Sequence, residues 1–336
     1  MSDRILRWGV LSTANIGRAA VVPALHASPR SRVEAVASRD QARARQFAEA
    51  NRIPRGVGSY QALLDDPEID AVYIPLPNSL HLEWTRKAAE AGKHVLCEKP
   101  LGLGARECLE MDRVARVHDV RLMEAFMYRF HPRSERLLEM VGSGALGDLR
   151  MIRSTFTFRL TRPDNIRLDP GLGGGALLDV GCYCVNVSRM VAGREPLAVQ
   201  ATARWSERGV DEELTGTLFF EGGLVARFDC ALTMERCEQV EVAGTDAWLR
   251  IPQAFLPGTN DCVIEEHRGR SGREDHLVPG ADEYLRMVEH FEDAVLDGLP
   301  LRYDAREAAR NLKVIEAIYV SARAQGARVD LDREAR

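Results

Sequence analysis

The chain of 336 residues has little lysine: Lys87, Lys93, Lys99 and Lys313 are its four ammonium groups, and arginine supplies the rest of the positive charge. Lys and Arg together number 45 against 50 Asp and Glu, a formal charge of -5. The basic excess that sequence-independent nucleic-acid binding requires is therefore missing, and no nucleic acid is expected as a partner. Long apolar runs are missing too. No stretch approaches the roughly 20 residues needed to cross a bilayer, so no membrane partner is expected, and the start enters a strand-like run without the pattern of a secretion signal. The seven cysteines are an odd number without a C-x-x-C pair or paired Cys/His spacing. That excludes a disulfide framework and a zinc site, so no metal is expected and the reading is a reducing, cytoplasmic location. With 27 Gly and 15 Pro near average use and 45% apolar residues, disordered and fibrous classes drop out. What remains is enough chain for about two domains.

From Ile5 to about Phe126, short apolar runs alternate with amphipathic stretches of helical period. Strands are expected at Leu6–Leu11, Val33–Ala37, Ala71–Pro75, His94–Cys97 and Arg121–Ala125, with helices between them. This is the pattern of a parallel sheet covered on both faces. After Phe126 the rhythm turns to strand-like segments, with turn signals at Glu221-Gly222-Gly223 and Gly244-Thr245-Asp246. The fold class is α/β: a doubly wound Rossmann sheet over residues 1–126, then an α+β domain over 127–336 with a large, mostly antiparallel open sheet. The second domain is expected to bind substrate and to join copies into a homodimer or homotetramer through that sheet.

The run Trp8-Gly9-Val10-Leu11-Ser12-Thr13-Ala14-Asn15-Ile16-Gly17 orders a strand, a turn of small residues and a helix start. That order lets backbone approach a pyrophosphate at the positive end of a helix. Against G-x-G-x-x-G it reads S-x-A-x-x-G, with Ser12 and Ala14 in the first two glycine places. Thr13, Asn15 and Ile16 complete the candidate phosphate loop. The second strand ends in Ser38-Arg39-Asp40. A hydroxyl followed by arginine suits a 2'-phosphate, with Arg43 one helical turn further on, which favours NADP over NAD. Two alternatives stay open: Arg39 begins a solvated helix, or Asp40 is the acid that accepts from a ribose hydroxyl.

The stretch Tyr73-Ile74-Pro75-Leu76-Pro77-Asn78-Ser79-Leu80-His81, then Gly92-Lys93-His94-Val95-Leu96-Cys97-Glu98-Lys99-Pro100, is more specific. With Met127-Tyr128-Arg129-Phe130-His131-Pro132 and the segment Gly173 to Tyr183, it resembles the Gfo/Idh/MocA oxidoreductases over nearly the whole chain. The resemblance implies that Lys99 is the catalytic lysine and that Tyr183 holds the position of the family's catalytic tyrosine or histidine. It also implies that Leu76, Pro77, Asn78, His81 and Glu98, with Lys99, line the cofactor. Asp179 precedes Tyr183 by four residues, so both would project from one helical face, with Asp179 orienting Tyr183, meeting substrate hydroxyls or neutralising Lys99. Arg129, His131 and Asn165 are candidate substrate contacts; His131 reads equally as a packing residue, and Asn165 equally as part of an exposed loop.

The activity implied is hydride transfer between NADP(H) and a hydroxyl or carbonyl carbon of a sugar or polyol. The segment before Tyr183 is most similar to the aldose and dihydrodiol dehydrogenase branch, which puts a pyranose aldose first. A ketosugar reductase and a non-catalytic NADP(H)-binding sensor are the alternatives.

Overall fold

In the computed structural model, residues 4–331 are described, and they form two compact units. The first contains the chain through Met127 together with Asp282–Ala309, and the second contains Tyr128–Ala281 and the residues from Arg310 onward.

The first unit is built on six parallel strands in the order β3-β2-β1-β4-β5-β6. They are β1 (Leu6–Leu11), β2 (Ser31–Ala37), β3 (Arg55–Val57), β4 (Ala71–Ile74), β5 (His94–Cys97) and β6 (Leu122–Glu124). Strand β4 is buried along its length and β1 and β5 along most of theirs, as near-continuous apolar runs require when helices cover both faces. Order reverses at β1 and β4, which are hydrogen-bonded neighbours. Ligands of open parallel sheets bind at the carboxyl ends of strands beside such a reversal. Strand β3 and the helix Tyr60–Leu64 after it were not expected; β3 is a three-residue edge without apolar alternation.

The helix Glu283–Leu296 lies in this unit, whereas the sequence reading put it in the second domain. The cause is a set of contacts made across more than 250 residues of chain. The Phe291 ring sits 5.4 Å from that of Trp8, and the buried Glu292 carboxylate accepts from Ser28 Oγ at 2.7 Å and from Ser31 Oγ. Arg30 adds ion pairs to Asp293 and Asp297, both at 2.7 Å. An amphipathic period shows that a helix has a face to bury, not which sheet buries it.

The second unit carries nine strands in the order β14-β13-β12-β11-β7-β10-β9-β8-β15. They are β7 (Leu149–Arg159), β8 (Ala198–Trp205), β9 (Asp211–Phe219), β10 (Val225–Ala231), β11 (Thr233–Gly244), β12 (Trp248–Pro252), β13 (Cys262–Arg268), β14 (Gly272–Val278) and β15 (Val329–Asp330). All pairings are antiparallel except β10 with β7. A helical run, a π turn at Leu177–Gly181 continuing as an α-helix over Cys182–Ala192, packs on β7 and β10. Gly181 permits that approach, because a Cβ there would stand 2.7 Å from Cys230 Sγ.

Candidate active site

The phosphate loop follows β1. Ser12 adopts φ +150°, a conformation that glycine takes readily and other residues rarely, in the first glycine place of the fingerprint. Ser12, Thr13 and Ala14 are half-buried and Asn15 is exposed, its side-chain oxygen accepting from Arg18 at 2.7 Å. Helical structure begins at Asn15, Ile16 precedes the π turn Gly17–Val21, and the chain continues as the helix Val22–Ala27. A small-residue turn with a strained backbone ahead of a helix start fits a bound pyrophosphate.

At the tip of β2, Asp40 caps the helix Gln41–Ala50, its carboxylate accepting from the backbone N–H of Ala42 at 2.8 Å and Arg43 at 3.1 Å. Both of these bonds fall on Oδ1, so the cap gives Asp40 a structural role at the helix start. Ser38 is buried, and its hydroxyl accepts from the Asp40 N–H at 3.3 Å. Arg39 and Arg43 are exposed, and the charges of both act on the Tyr60 hydroxyl. Burial pushes the Tyr60 phenol up and the two guanidiniums oppose that. Trp84 meets Tyr60 edge-on at 5.0 Å, with the Lys87 ammonium 4.3 Å from the Trp84 ring centre. Two guanidiniums beside aromatic rings match a phosphate next to a purine. Tyr60 and Trp84 escaped the sequence reading because they are distant in sequence from Arg39 and belong to no motif.

At the end of β5, Glu98 and Lys99 are half-buried, and the Lys99–Pro100 peptide is cis. The Glu98 carboxylate accepts from the Tyr73 hydroxyl at 2.6 Å and from the Lys99 N–H at 3.3 Å, so the strand end is tied to β4. Burial, with Glu98 beside it, keeps the Tyr73 phenol well above its ordinary value, so it stays a donor. Leu76 is buried, while Pro77 and Asn78 are half-buried, the latter opening the short turn Asn78–Leu80.

His81 corrects the sequence reading. Its side chain is fully buried, with Nδ1 3.0 Å from the Pro100 carbonyl and Nε2 2.8 Å from that of Leu76. Both carbonyls are acceptors and burial holds the imidazole below its ordinary value, so the neutral ring's single N–H donates to one of them while the other nitrogen packs against the second. The histidine braces the Leu76 loop against the Lys99-Pro100 turn and does not itself reach a cofactor.

In the second unit, Asp179 lies within the π turn and Tyr183 in the first turn of the helix after it. The Asp179 carboxylate accepts from Arg167 Nε at 2.6 Å. Arg167 comes from the loop that Asn165 shapes, since the Asn165 side-chain oxygen accepts from the Arg167 N–H at 3.0 Å. Asn165 therefore supports an element of the site through backbone geometry.

The Tyr183 ring is packed among Phe156 at 5.3 Å, Phe255 at 5.4 Å and Tyr128 at 5.8 Å between centres. Aromatic pairs at such distances contribute roughly 0.5–1.5 kcal/mol each beyond area burial and hold a ring in one orientation. Phe156, from β7, is a wall of this box; Phe255 belongs to no motif. Below the box, Tyr128 donates to Asn186 Oδ1 at 2.6 Å.

Arg129 is buried in the turn Met127–Phe130. His131 is buried as well and caps the helix Pro132–Gly142, Nδ1 accepting from the Arg133 N–H at 3.0 Å. Burial, then the Arg133 charge, pushes its imidazole down to about 4, so it is neutral at physiological pH. The cap accounts for Nδ1, while Nε2 is buried without a hydrogen-bond partner.

Among the described residues, three possible metal-ligating side chains gather at Glu266, Glu274 and His276 on the β13–β14 hairpin. Glu266 there already accepts from Arg268 at 2.6 Å and contacts His276 at 2.8 Å. No helix among the described residues is long and apolar enough to cross a membrane.

Two family descriptions match the chain: the NAD-binding Rossmann fold of an oxidoreductase family over residues 6–126, and the GFO/IDH/MocA C-terminal domain over residues 134–250. The protein belongs to the Gfo/Idh/MocA family of oxidoreductases. It is 41% identical over 329 residues to the D-xylose 1-dehydrogenase (NADP(+)) 2 of Haloferax volcanii, covering 97% of this chain and 100% of that protein. Human trans-1,2-dihydrobenzene-1,2-diol dehydrogenase is 37% identical over 266 residues, covering 78% of this chain and 79% of that one. Among solved structures, a 3-ketoreductase from Actinomadura kijaniata, in complex with NADP and TDP-benzene, superimposes with a TM-score of 0.90. It is 31% identical, with 95% of this chain and 98% of that chain covered.

Proposed function

We propose that the protein is an NADP-dependent dehydrogenase that oxidises a hydroxyl carbon of a sugar or related polyol, with a pyranose aldose as the leading substrate. The observation that carries this reading is the 41% identity to an NADP(+)-dependent D-xylose dehydrogenase along essentially both full lengths. NADP over NAD is further supported by the charges of Arg39 and Arg43 acting on Tyr60 while Asp40 is engaged as a helix cap.

When bound, the nicotinamide supplies an acceptor for the hydride that leaves the substrate carbon. The work of the chain is to hold and to move a proton. In oxidation the substrate hydroxyl loses its proton to Tyr183 Oη, and the Lys99 ammonium hydrogen-bonds the same substrate oxygen as negative charge develops on it. The C–H electron pair leaves as hydride while the C–O double bond forms. A phenol with a reference value near 10 is protonated at neutral pH and accepts only after releasing its own proton to solvent, so the step needs the phenolate form, which the positive charge of Lys99, and of an oxidised cofactor when bound, would favour. Asp179, held by Arg167, orders the polar side of the site and accepts from substrate hydroxyls. Ser12 to Ile16 take the pyrophosphate, and Leu76, Pro77, Asn78 and Glu98 contact the nicotinamide half.

The likeness to a 3-ketoreductase favours a second reading, carbonyl reduction by the same residues in reverse. Near-UV absorbance of NADPH, followed with NADP+ or NAD+ against aldoses, inositols and dihydrodiols and with NADPH against ketosugars, separates the two. Oxidation of an aldose with NADP+ preferred is the expected result. Consumption of NADPH by ketosugars alone would establish the reductase, and silence in both directions would leave cofactor binding without chemistry.

A further inference from the structure

Behind the Tyr183 helix a single carboxylate ties together three segments of the second unit. Asp211 opens β9 and is 1% exposed. One of its oxygens accepts from the Leu177 N–H at 2.7 Å, and the other accepts from the Tyr319 hydroxyl at 2.8 Å, on the helix Ala305–Arg323. Leu177 is the first residue of the π turn that carries Asp179 and leads into Tyr183. The first N–H groups of a helical run have no partner within it, and Ala176, the residue in cap position, has no side-chain oxygen to offer. The cap is instead brought in from 34 residues away.

The chain before the helix is shaped to admit that carboxylate. Gly175 adopts φ +119°, and a Cβ on it would lie 2.1 Å from Asp211 Oδ1 and 3.2 Å from the Tyr319 hydroxyl. Only glycine fits the third place of the triple-glycine turn. Tyr319 is itself seated against Trp205, with ring centres 6.1 Å apart, and Arg323 lies 5.5 Å from the Trp205 ring centre. A charged acceptor makes stronger bonds than a neutral one and complements the positive end of the helix. Slack at Leu177 would be passed along one continuous helical run to Tyr183, six residues further on.

We propose that Asp211 is a positioning residue: through Leu177 and Tyr319 it fixes the height and rotation at which the helix presents Tyr183, and so sets turnover without touching substrate or cofactor. The inference rests on the assignment of Tyr183 as the proton-transfer group.

The test compares Asp211→Ala, Asp211→Asn and Tyr319→Phe in the full chain, by steady-state kinetics and by amide hydrogen exchange over residues 175–187, with Tyr183→Phe alongside. Asparagine keeps a carbonyl acceptor for the Leu177 N–H and offers its amide to the Tyr319 oxygen, whereas alanine keeps neither contact. Asp211→Ala is expected to lose roughly 10–100-fold in kcat, the scale of a displacement near 1 Å, with KM for NADP+ within about twofold and faster exchange confined to 177–183. Asp211→Asn should return kcat to within about threefold of wild type, and Tyr319→Phe should fall between the two. Should the alanine variant not fold, a kcat-only loss with local exchange in Tyr319→Phe carries the test, and wild-type kcat in that variant overturns it. Wild-type kcat in Asp211→Ala with Tyr183→Phe inactive would overturn this inference alone. Full activity in Tyr183→Phe would overturn both the assignment and the inference.

Discussion

Arg39 shows how much one side chain decides about the cofactor. A charge-assisted bond to a phosphate contributes about 1.5–3 kcal/mol, so Arg39→Ala is expected to raise KM for NADP+ by roughly 10–100-fold. The same substitution should leave the weaker NAD+ reaction nearly unchanged, since NAD+ has no 2'-phosphate. Parallel titrations of both cofactors check this, and equal losses for the two would assign Arg39 to folding instead. The Ser38-Arg39 pair was legible in sequence, but the choice between Arg39 and Asp40 was not. The two backbone N–H bonds that Asp40 accepts at the start of a helix bear on it, and a capping aspartate and a ribose-binding aspartate look alike as letters. His81 fails for a similar reason: its motif marks a site loop, while its two carbonyl contacts show that it braces the loop from inside.

The helical run Leu177–Ala192 was legible as an element because the triple glycine and apolar period bound it, yet its cap was not. Asp211 is remote in sequence and reads as an ordinary acid at the start of a strand. Burial raises its carboxyl to about 6 from an ordinary value of 3.8. The folded state therefore holds a proton there that the unfolded state has released, and stability falls as pH rises from about 4 to about 6. A shift of that size corresponds to a loss on the order of 3 kcal/mol, complete above pH 6 or so. Asp211→Asn removes the titration, so its melting temperature relative to wild type is expected to be higher at pH 8 than near pH 4, the difference opening between pH 4 and 6. A constant difference across that range would show that the carboxyl does not titrate where its burial implies. Other elements escaped for plainer reasons: β14 is an edge strand whose middle, Arg273 to His276, is polar, so it has no apolar alternation to announce it.

At the scale of the whole chain, both sheets were legible in outline, since continuous apolar runs and alternating runs separate a covered parallel sheet from an antiparallel one. The path of the chain was not, because Asp282–Ala309 returns to the first unit through Phe291, Glu292 and Asp293, contacts that no local pattern encodes. The central claim is that Lys99 and Tyr183 carry the proposed chemistry. The direct measurement is turnover by Lys99→Ala and Tyr183→Phe on the sugar that best supports NADPH formation, with cofactor affinity read separately from fluorescence on binding. Tyr183→Phe should lose roughly 10²–10⁴-fold in kcat with NADP+ affinity nearly intact, and Lys99→Ala should abolish turnover while still binding cofactor. Near-wild-type rates in both variants would contradict the account.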